Sequence, residues 1–109
     1  MTTLAANPTA IPLAEARKRL GALYGDRLGR VVLFGSRARG DHREDSDYDV
    51  AVFLKTWPDW WRELDVLAGL SNDLLDASGA VFDIKPYAIL EWSDQTPLMS
   101  EIRREGIDL

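Results

Sequence analysis

Two short apolar runs, Arg30 to Phe34 (RVVLF) and Tyr48 to Leu54 (YDVAVFL), flank a polar, turn-rich stretch, GSRARGDHREDSD. This pairing constrains the fold more than any other feature of the chain. Runs rich in β-branched and aromatic residues, bounded by glycine or polar clusters, read as buried strands. Gly35 and Ser36 end the first run abruptly. In the second, strand alternation sets Asp49, Ala51 and Phe53 on one face and Tyr48, Val50, Val52 and Leu54 on the other. A third strand is expected over residues 80–84, with Pro86 closing it or marking it as an edge.

Helical patterns surround these strands. Leu13, Ala16, Leu20, Leu23 and Tyr24 recur at three- and four-residue steps, predicting a helix that starts near Pro12 and is ended by Gly25. Thr56 to Asp59 offers a helix start, with Thr56 or Trp57 at the cap and Pro58 in the first turn. Trp60, Trp61, Leu64, Leu67, Ala68 and Leu75 extend an apolar stripe to about Ala77, and Gly79 stops it. A last helix is expected from Thr96-Pro97 to Gly106. The order of elements predicts an α/β (α+β) domain in which helices pack on a small mixed sheet. A chain of 109 residues has room for one such domain, expected over residues 11–109 behind a flexible arm at residues 1–10.

Composition removes several classes of function. No cysteine is present and His42 stands alone, so any metal must be held by oxygen ligands. A net charge of −5 disfavours a long nucleic acid as partner, because grip on a phosphate backbone needs the opposite field. No stretch approaches the roughly 20 apolar residues of a membrane span, and the N-terminal residues lack the pattern of a secretion signal, which predicts a cytoplasmic protein.

The chemistry gathers around Gly35-Ser36, Asp47-Tyr48-Asp49 and Asp83. Glycine allows a sharp turn and a close approach of backbone to ligand, while the Ser36 hydroxyl and the following N–H groups are donors for phosphate oxygens. Arg37 and Arg39 follow at once, as phosphate ligands or as partners of Asp41, Glu44 or Asp45. Asp47 and Asp49, two apart on an extended segment, project to the same side and suit Mg²⁺, which takes one or two carboxylates plus substrate phosphates. Asp83 interrupts an apolar strand, and a carboxylate there needs a partner, either a metal or Lys85 two residues along on the same face. Trp57 and Trp60 do not easily share one helical face with Trp61 and Leu64, which leaves aromatic surface for a protein partner.

The pattern of Gly-Ser, a ten-residue spacer, Asp-x-Asp and a later acid resembles the DNA polymerase β-type nucleotidyltransferase superfamily. GSRARGDHREDSDYDVAVFL is similar in particular to the minimal nucleotidyltransferase (MNT) antitoxins, commonly paired with a HEPN ribonuclease toxin. The resemblance covers roughly residues 30 to 85. It implies the nucleotidyltransferase fold, with Asp47, Asp49 and Asp83 binding two Mg²⁺ ions and Gly35 and Ser36 holding the triphosphate of ATP. It further implies transfer of AMP from ATP to a hydroxyl acceptor, a tyrosine of a HEPN toxin. Two other readings are compatible with the same residues: an antitoxin that neutralises by contact alone, and a nucleotidyltransferase acting on a small molecule. With the domain using almost the whole sequence, the acceptor must come from another molecule.

Overall fold

The structure, a computed structural model, describes residues 10–56 and 59–109. Eight regular elements appear in them: α1 (Ala10–Tyr24), β1 (Leu28–Phe34), α2 (Ser36–Arg39), β2 (Tyr48–Leu54), α3 (Trp60–Ser78), β3 (Phe82–Ala88), α4 (Pro97–Glu105) and β4 (Ile107–Asp108). Single tight helical turns at Gly25–Arg27 and Ile89–Ser93 complete the chain. The expected arm at residues 1–10 lies outside the described residues except for Ala10, which already belongs to α1.

The four strands form one mixed sheet in the order β3-β2-β1-β4. Strand β1 runs antiparallel to both β2 and β4, whereas β2 and β3 run parallel. A parallel pair needs a crossover, and α3 supplies it. Alternation along the strands then builds two unequal faces. Val31, Leu33, Tyr48, Val50, Val52, Leu54, Phe82 and Ile84 pack under α1 and α3 together with Leu13, Ala16, Leu20, Leu67, Leu70 and Leu74. On the opposite face Val32, Ala51 and Phe53 pack with Met99 and Ile102 of α4, with Phe34, Tyr87, Ile89 and Trp92 at the margin.

Several expectations are corrected here. The buried stripe of α3 runs through Glu63, Leu67, Leu70 and Leu74, while Trp60, Trp61 and Leu75 are exposed. Leucines at 64, 67, 70, 74 and 75 permit more than one stripe, and the crossing of α1 selects among them. Leu23, expected to face inward on α1, is exposed as well. The cap of α3 is Asp59, whose side chain accepts from the Arg62 N–H at 3.4 Å, and not Thr56; a cap at Trp57 falls outside the described residues. The third strand lies at 82–88 instead of 80–84. It passes through Pro86, whose ring is fully buried, as an edge strand can.

Glu63 is the one charged residue in the core among the described residues. Its carboxylate accepts from the Tyr24 hydroxyl at 3.0 Å and from the Arg27 guanidinium at 2.9 Å, and Arg27 also donates to Thr56 Oγ1 at 2.8 Å. Burial and the neighbouring Glu63 carboxylate push the Tyr24 hydroxyl well above its ordinary pKa, so it remains a donor. The network ties α1, α3 and the end of β2 together at the edge remote from the acidic cluster.

Candidate active site

Gly35 fixes the first wall of the site. Its φ of 75° and ψ of −159° lie in a region open essentially to glycine, and a Cβ there would collide with the Asp49 carboxylate. The residue turns the chain out of β1 straight into α2. The Gly35 carbonyl accepts from the N–H groups of Ala38 and Arg39, both at 3.1 Å, so the N–H groups of Ser36 and Arg37 belong to the open first turn. Gly40, at φ 87°, ends the turn and sends the chain back toward β2.

The return loop is built to a definite shape. Ser46 Oγ accepts from the Arg43 N–H at 2.9 Å, and the Arg37 guanidinium donates to the carbonyls of Glu44 at 2.9 Å and Ser46 at 3.0 Å. The same guanidinium covers the Tyr48 ring at 4.4 Å. Tyr48 belongs to the helix-covered face, so Arg37 stands on the side of the sheet away from Asp49. Of the two roles the sequence leaves open for Arg37, phosphate ligand or local partner, these contacts match the second, with backbone carbonyls as the partners. Arg39 stays on the acidic side, where its charge bears on Asp49 while it pairs with Asp41 at 3.1 Å and Glu105 at 3.2 Å.

Asp49 and Asp83 are direct partners across the parallel β2–β3 pair, and Asp49 lies opposite Phe34 across β2–β1. Both acids belong to the face left open by α1 and α3. Asp47 stands two residues ahead of Asp49, exposed, at the mouth of the strand. Burial holds the Asp49 carboxyl above the usual carboxylate range, the charges of Asp83 and Asp47 push it further up, and Lys85 and Arg39 oppose them. The charges of the other two acids therefore both bear on Asp49. Lys85 donates to Asp83 Oδ1 at 2.6 Å, and this bond raises the ammonium's own pKa.

These residues fit a hard divalent cation. The donors are all carboxylate oxygens, and a positive charge would relieve the repulsion concentrated on Asp49. Among the described residues no three His, Cys, Asp or Glu side chains stand close enough together to hold a metal ion by themselves. Asp49 and Asp83 are the pair that the sheet sets side by side, and Mg²⁺ commonly takes one or two carboxylates with phosphate and water in its remaining positions.

A separate cavity of about 650 Å³ lies behind the loop, lined among others by Arg37, His42, Ser46, Tyr48 and Ser78. It opens on the Tyr48 side of the sheet, away from the acids. His42 Nδ1, on the wall of this cavity, is buried without a hydrogen-bond partner.

Residues 24–109 match the family "Polymerase beta, Nucleotidyltransferase". MJ0141 of Methanocaldococcus jannaschii, a candidate protein adenylyltransferase, is 46% identical over 46 residues, which is 42% of this chain and 46% of that protein. The chain thus spans less than half the length of this curated relative. The structure of a candidate minimal nucleotidyltransferase superposes with a TM-score of 0.61 at 34% identity, covering 93% of each chain. A toxin-antitoxin crystal structure with AMP-PNP superposes at a TM-score of 0.59 and 23% identity, over 86% of this chain and 69% of that one. A complex of tri-AMPylated HEPN toxin with MNT antitoxin from Shewanella oneidensis gives 0.55 and 19%, over 89% and 70%. The last two likenesses, at such identities, concern the fold. A sheet that aligns two acids in register beside a glycine turn, and a family match over most of its length, make this chain a member of the polymerase β-type nucleotidyltransferase family.

Proposed function

We propose that the protein transfers AMP from ATP to a tyrosine hydroxyl of a partner HEPN toxin and thereby acts as its antitoxin. The observation that carries the catalytic half of this reading is the register of β2 and β3, which sets Asp49 directly beside Asp83 on the open face. The partner half draws support from the MNT complexes that share the fold and from the exposed aromatic surface of Trp60 and Trp61.

Asp47 and Asp49 would hold two Mg²⁺ ions together with Asp83, and such ions neutralise the attacking and leaving oxygens of an in-line displacement. The chain's own residues do the positioning. The Gly35 turn lets backbone approach the triphosphate without a side chain in between, and Ser36 Oγ and the first N–H groups of α2 donate to its oxygens. Arg39, already on the acidic side, adds a positive charge within reach of the same phosphates. Asp83, held by Lys85 at Oδ1 in the ligand-free chain, would also accept the proton of the attacking hydroxyl. The new bond joins that hydroxyl oxygen to the α-phosphorus, and the bond to pyrophosphate breaks.

The test is label transfer. With the cognate partner, Mg²⁺ and ATP labelled in the α-phosphate, label is expected on a partner tyrosine and is expected to vanish with Asp47→Asn. Transfer that survives this change refutes the assigned mechanism. Toxin neutralisation that survives while transfer is abolished replaces it with an antitoxin acting by contact alone.

A further inference from the structure

Lys85 is the one cation built into the acidic face that the proposed mechanism leaves without a dynamic role. It follows Asp83 by two residues on the same side of β3, and its Cα partner on β2 is Ala51. Its ammonium lies 2.6 Å from Asp83 Oδ1, and its charge also bears on Asp49. Among the described residues Asp83 has no other ion-pair partner within 4 Å, and Asp47 and Asp49 have none at all. Both members of the pair are about half exposed. An ion pair in that setting is cheap to break.

A divalent cation and an ammonium cannot share one carboxylate oxygen without repulsion. We propose that Lys85 is a resident counter-cation that competes with the divalent ion for Asp83, releases the carboxylate when the nucleotide's phosphates offer it a new partner, and so couples metal binding to nucleotide binding. The inference rests on the site holding both metal and nucleotide. Its consequence is a pair of effects with opposite signs. Removing the ammonium strengthens uptake of metal alone, because a single charge about 4 Å from a divalent ion in a water-like medium disfavours it by a factor of roughly ten to thirty. The same change weakens uptake of the metal–nucleotide complex, because a phosphate contact is lost. Coupling between the two ligands shrinks accordingly.

The experiment compares the full chain with its Lys85→Met and Lys85→Arg variants. Mn²⁺ binding is read from the loss of the free-ion electron paramagnetic resonance signal. Binding of the complex of Mn²⁺ with a non-hydrolysable ATP analogue is read by calorimetry. Lys85→Met is expected to bind Mn²⁺ alone about tenfold more tightly and the metal–nucleotide complex at least about threefold more weakly, with Lys85→Arg near wild type in both. A merely structural role would shift both affinities in the same direction. Unchanged or weaker Mn²⁺ binding by Lys85→Met overturns the proposal. The Asp49→Asn variant separates this failure from a deeper one: Mn²⁺ uptake indifferent to Asp49 would sink the metal-site reading itself, and the role of Lys85 with it.

Discussion

The same strands serve two faces of the sheet that differ in almost every physical respect. Under α1 and α3, Val50, Val52 and Leu54 of β2 are fully excluded from solvent in a continuous apolar layer. One residue out of phase, Asp49 and Asp83 share the other face with Lys85, and only α4 and a short turn cover part of it. One side of β2 stabilises the fold, and the other accepts an electrostatic cost to hold chemistry. Period-two alternation lets a small domain do both without a second layer of scaffold.

Substitutions on the two faces should therefore separate activity from stability. The largest effect is expected from Asp49→Asn, which should lower adenylyl transfer by at least about a thousandfold. The fold itself should gain from the same change. The folded chain holds the Asp49 proton more tightly than the unfolded chain, so the stability this group contributes is present at low pH and is lost as pH rises through its raised folded pKa. At neutral pH the asparagine variant should then melt higher than wild type, and the gain should disappear below the ordinary carboxylate pKa of about 4. A variant that melts lower at pH 7 would break the comparison.

Next in size is Leu74→Ala on the helix-covered face. Leu74 is fully buried, so a loss of about 2–5 kcal/mol is expected in denaturant unfolding, with the acidic face intact in whatever fraction remains folded. Gly35→Ala stands between the two faces. The backbone conformation should cost roughly 1–3 kcal/mol, and the added methyl group should displace Asp49, so stability and transfer should fall together. Removing the Thr96 cap of α4, whose hydroxyl accepts from the Met99 N–H at 3.2 Å, should cost about 1 kcal/mol. Trp61→Ser should change stability by less than about 0.5 kcal/mol, because that side chain is 77% exposed. If it instead weakens capture of the toxin in a pull-down, the exposed start of α3 belongs to the interface.

The sequence carried most of the strand face that matters, and the reason is local. Asp49 and the apolar residues of Tyr48 to Leu54 alternate with a period that only a strand satisfies, and Asp83 stands as an acid inside an apolar run. What it did not carry depended on distant partners. For Arg37 the sequence leaves phosphate and a local partner equally open, and in the ligand-free chain it is held by the carbonyls of Glu44 and Ser46 and by the Tyr48 ring. Strand β4 is two residues long and exists only through pairing with Val32 and Leu33. No local pattern announces it. The choice of stripe on α3 likewise came from the packing of α1, and the extension of β3 through Pro86 from its position at the sheet edge. The ion pair of Arg39 with Glu105 spans 66 residues and was equally invisible.

The central claim is that Asp47, Asp49 and Asp83 converge on divalent cations beside the Gly35 turn. A crystal structure of the chain grown with Mn²⁺ and a non-hydrolysable ATP analogue tests it most directly, through the anomalous signal of the metal. The account predicts manganese peaks bounded by all three carboxylates, with the triphosphate against Gly35 and Ser36. Peaks that leave Asp83 unliganded, or a nucleotide lodged in the cavity on the Tyr48 side of the sheet, would contradict it.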